Sequence, residues 1–289
     1  GPPYGRLSGC PPEGQLYALS MGVVADFGFT RALGGAAAVE AEVARLVTAA
    51  NAIYADQAGV ELRVSRLVVN ADQSLPFAAA GPNFAPATPG LRTCPKPIRD
   101  ASWITAVPYP GTGPAVQVRV DAPTALLSRF AAWVGLHAPA PAGIWHLLTN
   151  CLPLPGTVGQ ATQGAACDGG SHKLFVQDSG TPCPDCEYVL PSGNGAVARF
   201  DVAETCPADW PICAANAGVT SLSPTTWRTF AHEVGHSLGA VHTFGLGGLM
   251  DYTDDRQFYD DGTLCAGVDR LLARRGFLDG DEACLTAAA

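Results

Sequence analysis

The sequence predicts an α/β fold, and three stretches carry that prediction. Residues 15–27, QLYALSMGVVADF, are an apolar run bounded by Pro and Gly, as a buried strand is. Val39, Val43, Leu46, Val47, Ala50 and Tyr54 then recur at helical spacing, which stacks them into one stripe able to lie on a sheet. VELRVSRLVV at 60–69 alternates Val60, Leu62 and Val64 before an apolar end, a second strand. Strand, helix, strand implies a parallel crossover and hence an α/β layer.

Residues 72–115 break this rhythm. They are rich in proline and poor in periodic runs, which marks a long surface insertion with Cys94 as a staple. Asp121 is placed to cap, and Pro123 to open, a second helix whose Leu126, Leu127, Phe130, Trp133 and Val134 face a core. IWHLLTNC at 144–151 reads as a third strand, in which His146 is a core or edge histidine rather than a ligand. TVGQATQGAAC at 157–167 is too small and polar for a central strand and reads as an edge strand or an edge loop. In the strand reading, Val158, Gly159, Gln160, Ala161 and Thr162 offer backbone groups to an extended peptide. SHKLFVQDSG at 171–180 is a further short strand, and 181–222, with four cysteines among Pro, Gly and Asn, a stapled loop. Leu264, Val268, Leu271 and Leu272 mark a C-terminal helix stopped by Gly276.

A chain of 289 residues can bury a full core, and its 47% apolar and 15% charged composition is that of a globular protein. No apolar run reaches the length of a membrane span. The net charge of −9 argues against nucleic acid as a partner, since phosphate binding needs clustered Lys and Arg. Ten cysteines, with only Cys183 and Cys186 at CxxC spacing, fit disulfides better than a structural zinc site. An oxidising compartment, secreted or extracellular, is therefore expected.

The chemistry concentrates at 232–252, HEVGHSLGAVHTFGLGGLMDY. His232 and His236 are four residues apart, so on a helix they leave one face about 6 Å apart along the axis, close enough to grip one ion. Ser223 suits the N-cap and Pro224 the first turn, and Trp227, Phe230, Ala231, Val234 and Leu238 form the buried face, so the helix should run from about 224 to 238. Gly239 can take the left-handed conformation that reverses the chain and returns His242 as a third ligand. Three neutral imidazoles leave a tetrahedral zinc ion one open position, and Glu233 then serves as general base toward a water there. Gly235, Ser237 and Gly239 also spell GxSxG, but a serine hydrolase needs an acid and then a histidine downstream, and the last histidine is His242.

The pattern HExxHxxGxxH followed by Met250 in GGLMDY resembles the metzincins. The flanking order, with LLSRFAAW, HLLTN, TVGQAT and Cys167, resembles the catalytic domain of the reprolysin or ADAM metalloendopeptidases. That resemblance implies a five-stranded, mostly parallel twisted sheet with long helices above a cleft, and one zinc ion held by His232, His236 and His242. It also implies Glu233 as the base, Met250 packed beneath the imidazoles, and substrate antiparallel to Val158–Thr162. A single catalytic domain would divide into an upper part, about 1–242, and a small lower part, about 243–289, tied by a Cys167–Cys284 bond. The implied activity is a zinc endopeptidase acting on protein or peptide substrates as a monomer; the alternative is a zinc-binding module of the same fold without turnover. Two departures stand out. Thr243 occupies a position where reprolysins usually carry Asp, and the HTF and MDYTDD wording looks more like the pappalysins, which have a long insertion here absent. The pappalysin calcium site is therefore not carried over, and Asp251, Asp254, Asp255, Asp260 and Asp261 read as a solvated face, with calcium the alternative. Tyr252 has two readings, a structural one and a stabiliser of the transition state as in astacins and serralysins.

Overall fold

The computed structural model describes residues 16–71, 102–106, 116–120, 126–127, 130–131, 134, 142–150, 158–167, 187–189, 197–199, 216–244, 248–252, 268 and 285–287. In chain order they form β1 (Tyr17–Ala25), α1 (Phe27–Leu33), α2 (Ala36–Ile53), β2 (Val60–Val69), β3 (Ser102–Ala106), β4 (Val116–Val120), β5 (Ile144–Thr149) and β6 (Gly159–Ala161). They continue with β7 (Glu187–Val189), β8 (Val197–Arg199), β9 (Ala217–Ser221), α3 (Thr226–Ser237) and β10 (Leu285–Ala287).

β1 pairs in parallel with β2 along one edge, and β5 with β9, while β6 closes the sheet antiparallel to β9. The other edge of β1 is shared: β5 takes Met21–Ala25 and β10, antiparallel, takes Tyr17–Leu19. The mixed, mostly parallel sheet therefore runs β2, β1, β5, β9, β6, with β10 filling the place beside β1 that β5 leaves. The crossover expected between 15–27 and 60–69 is present. The first strand nevertheless stops at Ala25, because Asp26 accepts a bond from Phe29 N at 2.7 Å and caps α1, a short helix that begins on the last residue of the apolar run.

Alternation along the strands sorts two cores. Leu19, Met21 and Val23 of β1, with Ile144 and Leu148 of β5, meet Val39, Val43, Leu46 and Ala50 of α2 and Phe230, Ala231 and Val234 of α3. Val24, Trp145, Leu147, Ala217 and Val219 face the other way, onto the helical residues Leu126, Leu127, Phe130, Ala131 and Val134. Central strands buried on both faces show near-continuous burial, as β1, β5 and β9 do. Helices on both sides of the sheet complete the α/β layering.

Three expectations change. The alternation groups Val64 with Val60 and Leu62, yet it is exposed while they are buried: the register slips between Met21 and Gly22, Ser65 is the extra residue, and Leu67 and Val69 take over the inward face. The stretch 181–222 contains β7, β8 and the central strand β9, and 72–115 contains β3, which pairs with β4. β9 escapes notice because AGVTS is short and small, and it is small for a reason: a Cβ on Gly218 would lie 2.8 Å from His146 Nδ1. Asp121, Pro123, Trp133, 171–180, Cys94, Leu264, Leu271, Leu272 and Gly276 lie outside the described residues; Val268 is helical and buried in the α2 and α3 core.

His146 is a core histidine. It is buried, its Nε2 lies 2.8 Å from Thr220 Oγ1, and its ring meets Phe230 edge-on at 4.9 Å. Burial lowers its pKa from 6.5 to about 3. Between those values the unfolded chain holds a proton that the folded chain refuses, so stability present above pH 6.5 is lost as pH falls toward 3, by about 1.4 kcal/mol per unit per proton. His146→Gln keeps a partner for Thr220 and removes the titration. Urea unfolding midpoints from pH 7 to 4 are expected to fall less steeply in the variant, by one proton; parallel slopes would contradict this assignment.

Candidate metal centre

α3 starts two residues later than the sequence indicates. Ser223 is not the cap: its N–H donates to Thr226 Oγ1 at 2.7 Å and the Thr226 hydroxyl returns a bond to Ser223 O at 2.6 Å, while Thr225 takes the cap position with its side chain bonding to no backbone N–H of the helix. Phe230, Ala231, Val234 and Leu238 pack into the core as expected, and Trp227 packs against it. A second element fixes this helix, since Tyr54, in the π-helical turn Tyr54–Ala58 that ends α2, donates its hydroxyl to Ala231 O at 2.5 Å. That carbonyl belongs to the residue just before His232.

Three imidazoles converge. Gly239 stands at φ +96°, and Gly239 N and Ala240 N donate to His236 O and Gly235 O at 2.8 and 2.9 Å, which reverses the chain. His242 then returns with its Nε2 3.1 Å from that of His232 and 3.0 Å from that of His236. On the far side of each ring, His232 Nδ1 lies 2.8 Å from Leu249 O and His236 Nδ1 2.9 Å from Ala240 O. A carbonyl only accepts, so both Nδ1 atoms carry the proton and both Nε2 lone pairs face inward. His242 can lend a proton to one neighbour and never to both, so the trio lacks a positive centre. A tetrahedral ion with Zn–N bonds near 2.0–2.1 Å sets its nitrogens about 3.3 Å apart, so the donor set fits zinc. Among the described residues this is the one cluster of three such side chains. Burial lowers His232 to about 4 and His236 to about 3, and lowers His242 against the pull of Asp251, so all three are neutral near pH 7, the form that coordinates.

The turn at 248–252 is the hub that the motif alone does not display. Leu249 O orients His232, Met250 O accepts from Thr243 N at 3.2 Å beside His242, and Asp251 O accepts from Arg228 Nη2 at 3.0 Å. Arg228 lies one turn before His232 on the same face of α3 and is buried, as is Asp251, which corrects its assignment to a solvated face. Asp254, Asp255, Asp260 and Asp261 lie outside the described residues. An arginine four residues before the first ligand was the available signal for this tie. Met250 is buried in the α2 and α3 core. Tyr252 is exposed, its ring 4.6 Å from that of His242 and 5.8 Å from that of His232. Burial of part of the ring, and then the charge of Glu233, raise its phenol.

Glu233 is buried, its Oε2 has no hydrogen-bond partner, and burial raises its pKa well above the carboxylate range. β6 lies directly against it. A Cβ on Gly159 would stand 2.6 Å from Glu233 Oε1 and 2.7 Å from Thr229 Cγ2, so only glycine fits this approach. The strand reading of 157–167 thus replaces the loop reading: Val158 O accepts from Ser221 N, Gly159–Ala161 pair with β9, and Thr162 N donates to Ala217 O. Beyond the strand, Gly164 N and Ala166 N donate to His236 O and Ser237 O, covering the carbonyl end of α3. Cys167 follows at φ +67° and is disulfide-bonded, while Cys284 lies outside the described residues. Ser237 is buried in the last turn of α3 and donates to Glu233 O at 3.3 Å, with no strand-to-helix elbow to present it as a nucleophile.

A family model described as Reprolysin_5, metallo-peptidase family M12, matches residues 16–267. The disintegrin and metalloproteinase domain-containing protein B of Trichophyton verrucosum is 26% identical over 238 residues, 82% of this chain and 23% of its own length. Its counterpart in Arthroderma benhamiae matches equally. The chain thus spans about a quarter of these relatives. A solved structure of metalloproteinase-II from Bacteroides fragilis is 13% identical, covers 85% of this chain and 49% of its own, and has a TM-score of 0.39, too low to bear on fold or function.

The imidazole cluster has a direct test. Purified protein is expected to carry one zinc ion per chain by elemental analysis. His242→Ala should weaken retention against a dilute chelator by well over about tenfold, whereas Glu233→Gln should leave it intact. Equal retention in the His242 variant would remove that ring from the site.

Proposed function

The chain belongs to metallo-peptidase family M12, and on that premise we propose that it is a zinc-dependent endopeptidase of the metzincin type, hydrolysing peptide bonds in extended protein substrates. The observation that carries the reading is the convergence of three Nε2 lone pairs beside a buried carboxylate with one unpartnered oxygen. A zinc ion at that point would supply Lewis acidity, making a water there acidic near neutral pH and polarising the substrate carbonyl.

The remaining work belongs to the chain. Glu233, held between α3 and β6, takes a proton from the attacking water and passes it to the leaving amine. Its burial supports this role: a carboxylate of raised proton affinity is a competent base, and a nearby cation then keeps it ionised. β6 is the last strand of the sheet among the described residues, and its outer edge is the place for an extended peptide to add itself through main-chain bonds. Tyr252, beside His242 and within the field of Glu233, is placed to donate its hydroxyl to the oxyanion of the tetrahedral intermediate. The Cys167–Cys284 pairing remains part of this proposal, as does a secreted or extracellular location; among the described residues no helix is long and apolar enough to cross a membrane. Calcium is not assigned.

The reading predicts that an unfolded, disulfide-free protein is cleaved and that a zinc chelator stops the cleavage. Glu233→Ala should lower kcat about 10²- to 10⁴-fold with zinc retained, and cleavage that survives in that variant would refute the mechanism. Tyr252→Phe should lower kcat beyond any change in Tm; unchanged kinetics would return Tyr252 to a structural role.

A further inference from the structure

The segment that follows β6 grips the end of α3 at three points. Gly164 N donates to His236 O at 2.8 Å, Ala166 N donates to Ser237 O at 2.8 Å, and the Gln163 side-chain Nε2 donates to Ala240 O at 3.3 Å. The first two satisfy carbonyls that a helix end leaves open, which is a structural task. The third differs in kind. Ala240 O is also the acceptor of His236 Nδ1–H at 2.9 Å, so one carbonyl serves a candidate metal ligand and a side chain of the edge-strand segment. A carbonyl oxygen only accepts, which fixes the Gln163 amide with its nitrogen toward Ala240.

Ala240 stands on the path between two ligands. Gly239 begins the reversal at φ +96°, Ala240 is buried with its N–H on Gly235 O at 2.9 Å, and His242 follows two residues later. The Ala240 carbonyl therefore bears on two things, the tautomer and aim of the His236 ring and the direction in which the chain leaves toward His242. Gln163 holds that carbonyl from the other side. It follows Thr162, whose N–H donates to Ala217 O where β6 stops pairing with β9, so the tie runs from the edge of the sheet to the metal centre. The two segments turn at left-handed glycines, Gly164 at φ +66° and Gly239 at φ +96°.

We propose that Gln163 is a positioning residue for the metal centre: it holds the Ala240 carbonyl on His236 and thereby fixes β6 relative to His236 and His242. The inference rests on the zinc-site reading and adds to it a side chain that acts through Ala240 and not on the ion. Its consequence for a peptide paired along β6 is that strand and ion keep one spacing, since β6 cannot shift without pulling on the turn between two ligands. The 3.3 Å bond is longer than the 2.8–2.9 Å bonds around it, so the expected effect on metal retention sits at the low end for loss of an outer partner, about tenfold.

The test follows zinc loss from the loaded protein into an excess of a chromophoric chelator, and the visible absorption of the cobalt-substituted protein as a report on ligand geometry. Gln163→Glu keeps the shape of the side chain and puts an acceptor in place of the donor; Gln163→Met keeps its length without a polar atom. Both variants are expected to lose zinc about tenfold faster than the wild type and to shift the cobalt bands. Val60→Ala, a core substitution in β2 at the opposite edge of the sheet, is the control: it should lower Tm and leave both readouts at wild-type values. Zinc loss at the wild-type rate in Gln163→Glu, acceleration by Gln163→Glu alone, unshifted cobalt bands in both variants, or equal acceleration in Val60→Ala would overturn the role of Gln163 and leave the zinc site standing. A wild-type protein that takes up no zinc would overturn both.

Discussion

Everything in this molecule is arranged around an electrostatic debt at one point. Three imidazoles converge, with His242 Nε2 about 3 Å from those of His232 and His236, and the latter two donate their Nδ1 protons to carbonyl oxygens behind them, Leu249 and Ala240. Neutral nitrogens facing one another in a buried place are poorly satisfied unless a cation joins them. The neighbouring carboxylate of Glu233, buried with an unpartnered oxygen, is in the same position. Positive charge at the centre would satisfy both.

The fold can be understood as the apparatus that holds this arrangement. The sheet and α2 bury one face of α3, and Tyr54 bonds directly to the carbonyl before His232. Gly239 turns the chain so that His242 returns, and the turn at 248–252 is tied to α3 by Arg228 and to the His242 segment by Thr243. β6 closes the other side, at a distance that only a glycine allows. The consequence is a site in which α3, the returning His242 segment, the turn at 248–252 and β6 are each tied to one another by named contacts.

How much of this is legible in the sequence depends on whether the signal is local. The helix carrying His232, Glu233 and His236, the reversal at Gly239 and the first strand–helix–strand unit all follow from spacing, because periodicity and glycine chemistry act within a few residues. β9 does not: AGVTS has no strong strand signal, and its place at the centre of the sheet is set by His146 and Ala161, which are far away in sequence. The bulge at Ser65 is equally invisible, since it depends on the partner strand, and it reverses the side on which Val64 lies. The burial of Asp251 has the same long-range origin. Its acidic neighbours look like a solvent face, whereas its burial comes from a turn folded onto Arg228, twenty-three residues earlier. Long-range contacts decide such positions, and a residue's own neighbourhood does not reveal them.

The central claim is that one zinc ion sits at the meeting point of His232, His236 and His242. Crystals of the intact protein grown without added metal, with anomalous differences measured on both sides of the zinc absorption edge, test it most directly. The account expects one peak present only above the edge, about 2.0–2.1 Å from all three Nε2 atoms. A peak ligated elsewhere in the chain, or three imidazoles turned away from a common point, would contradict it.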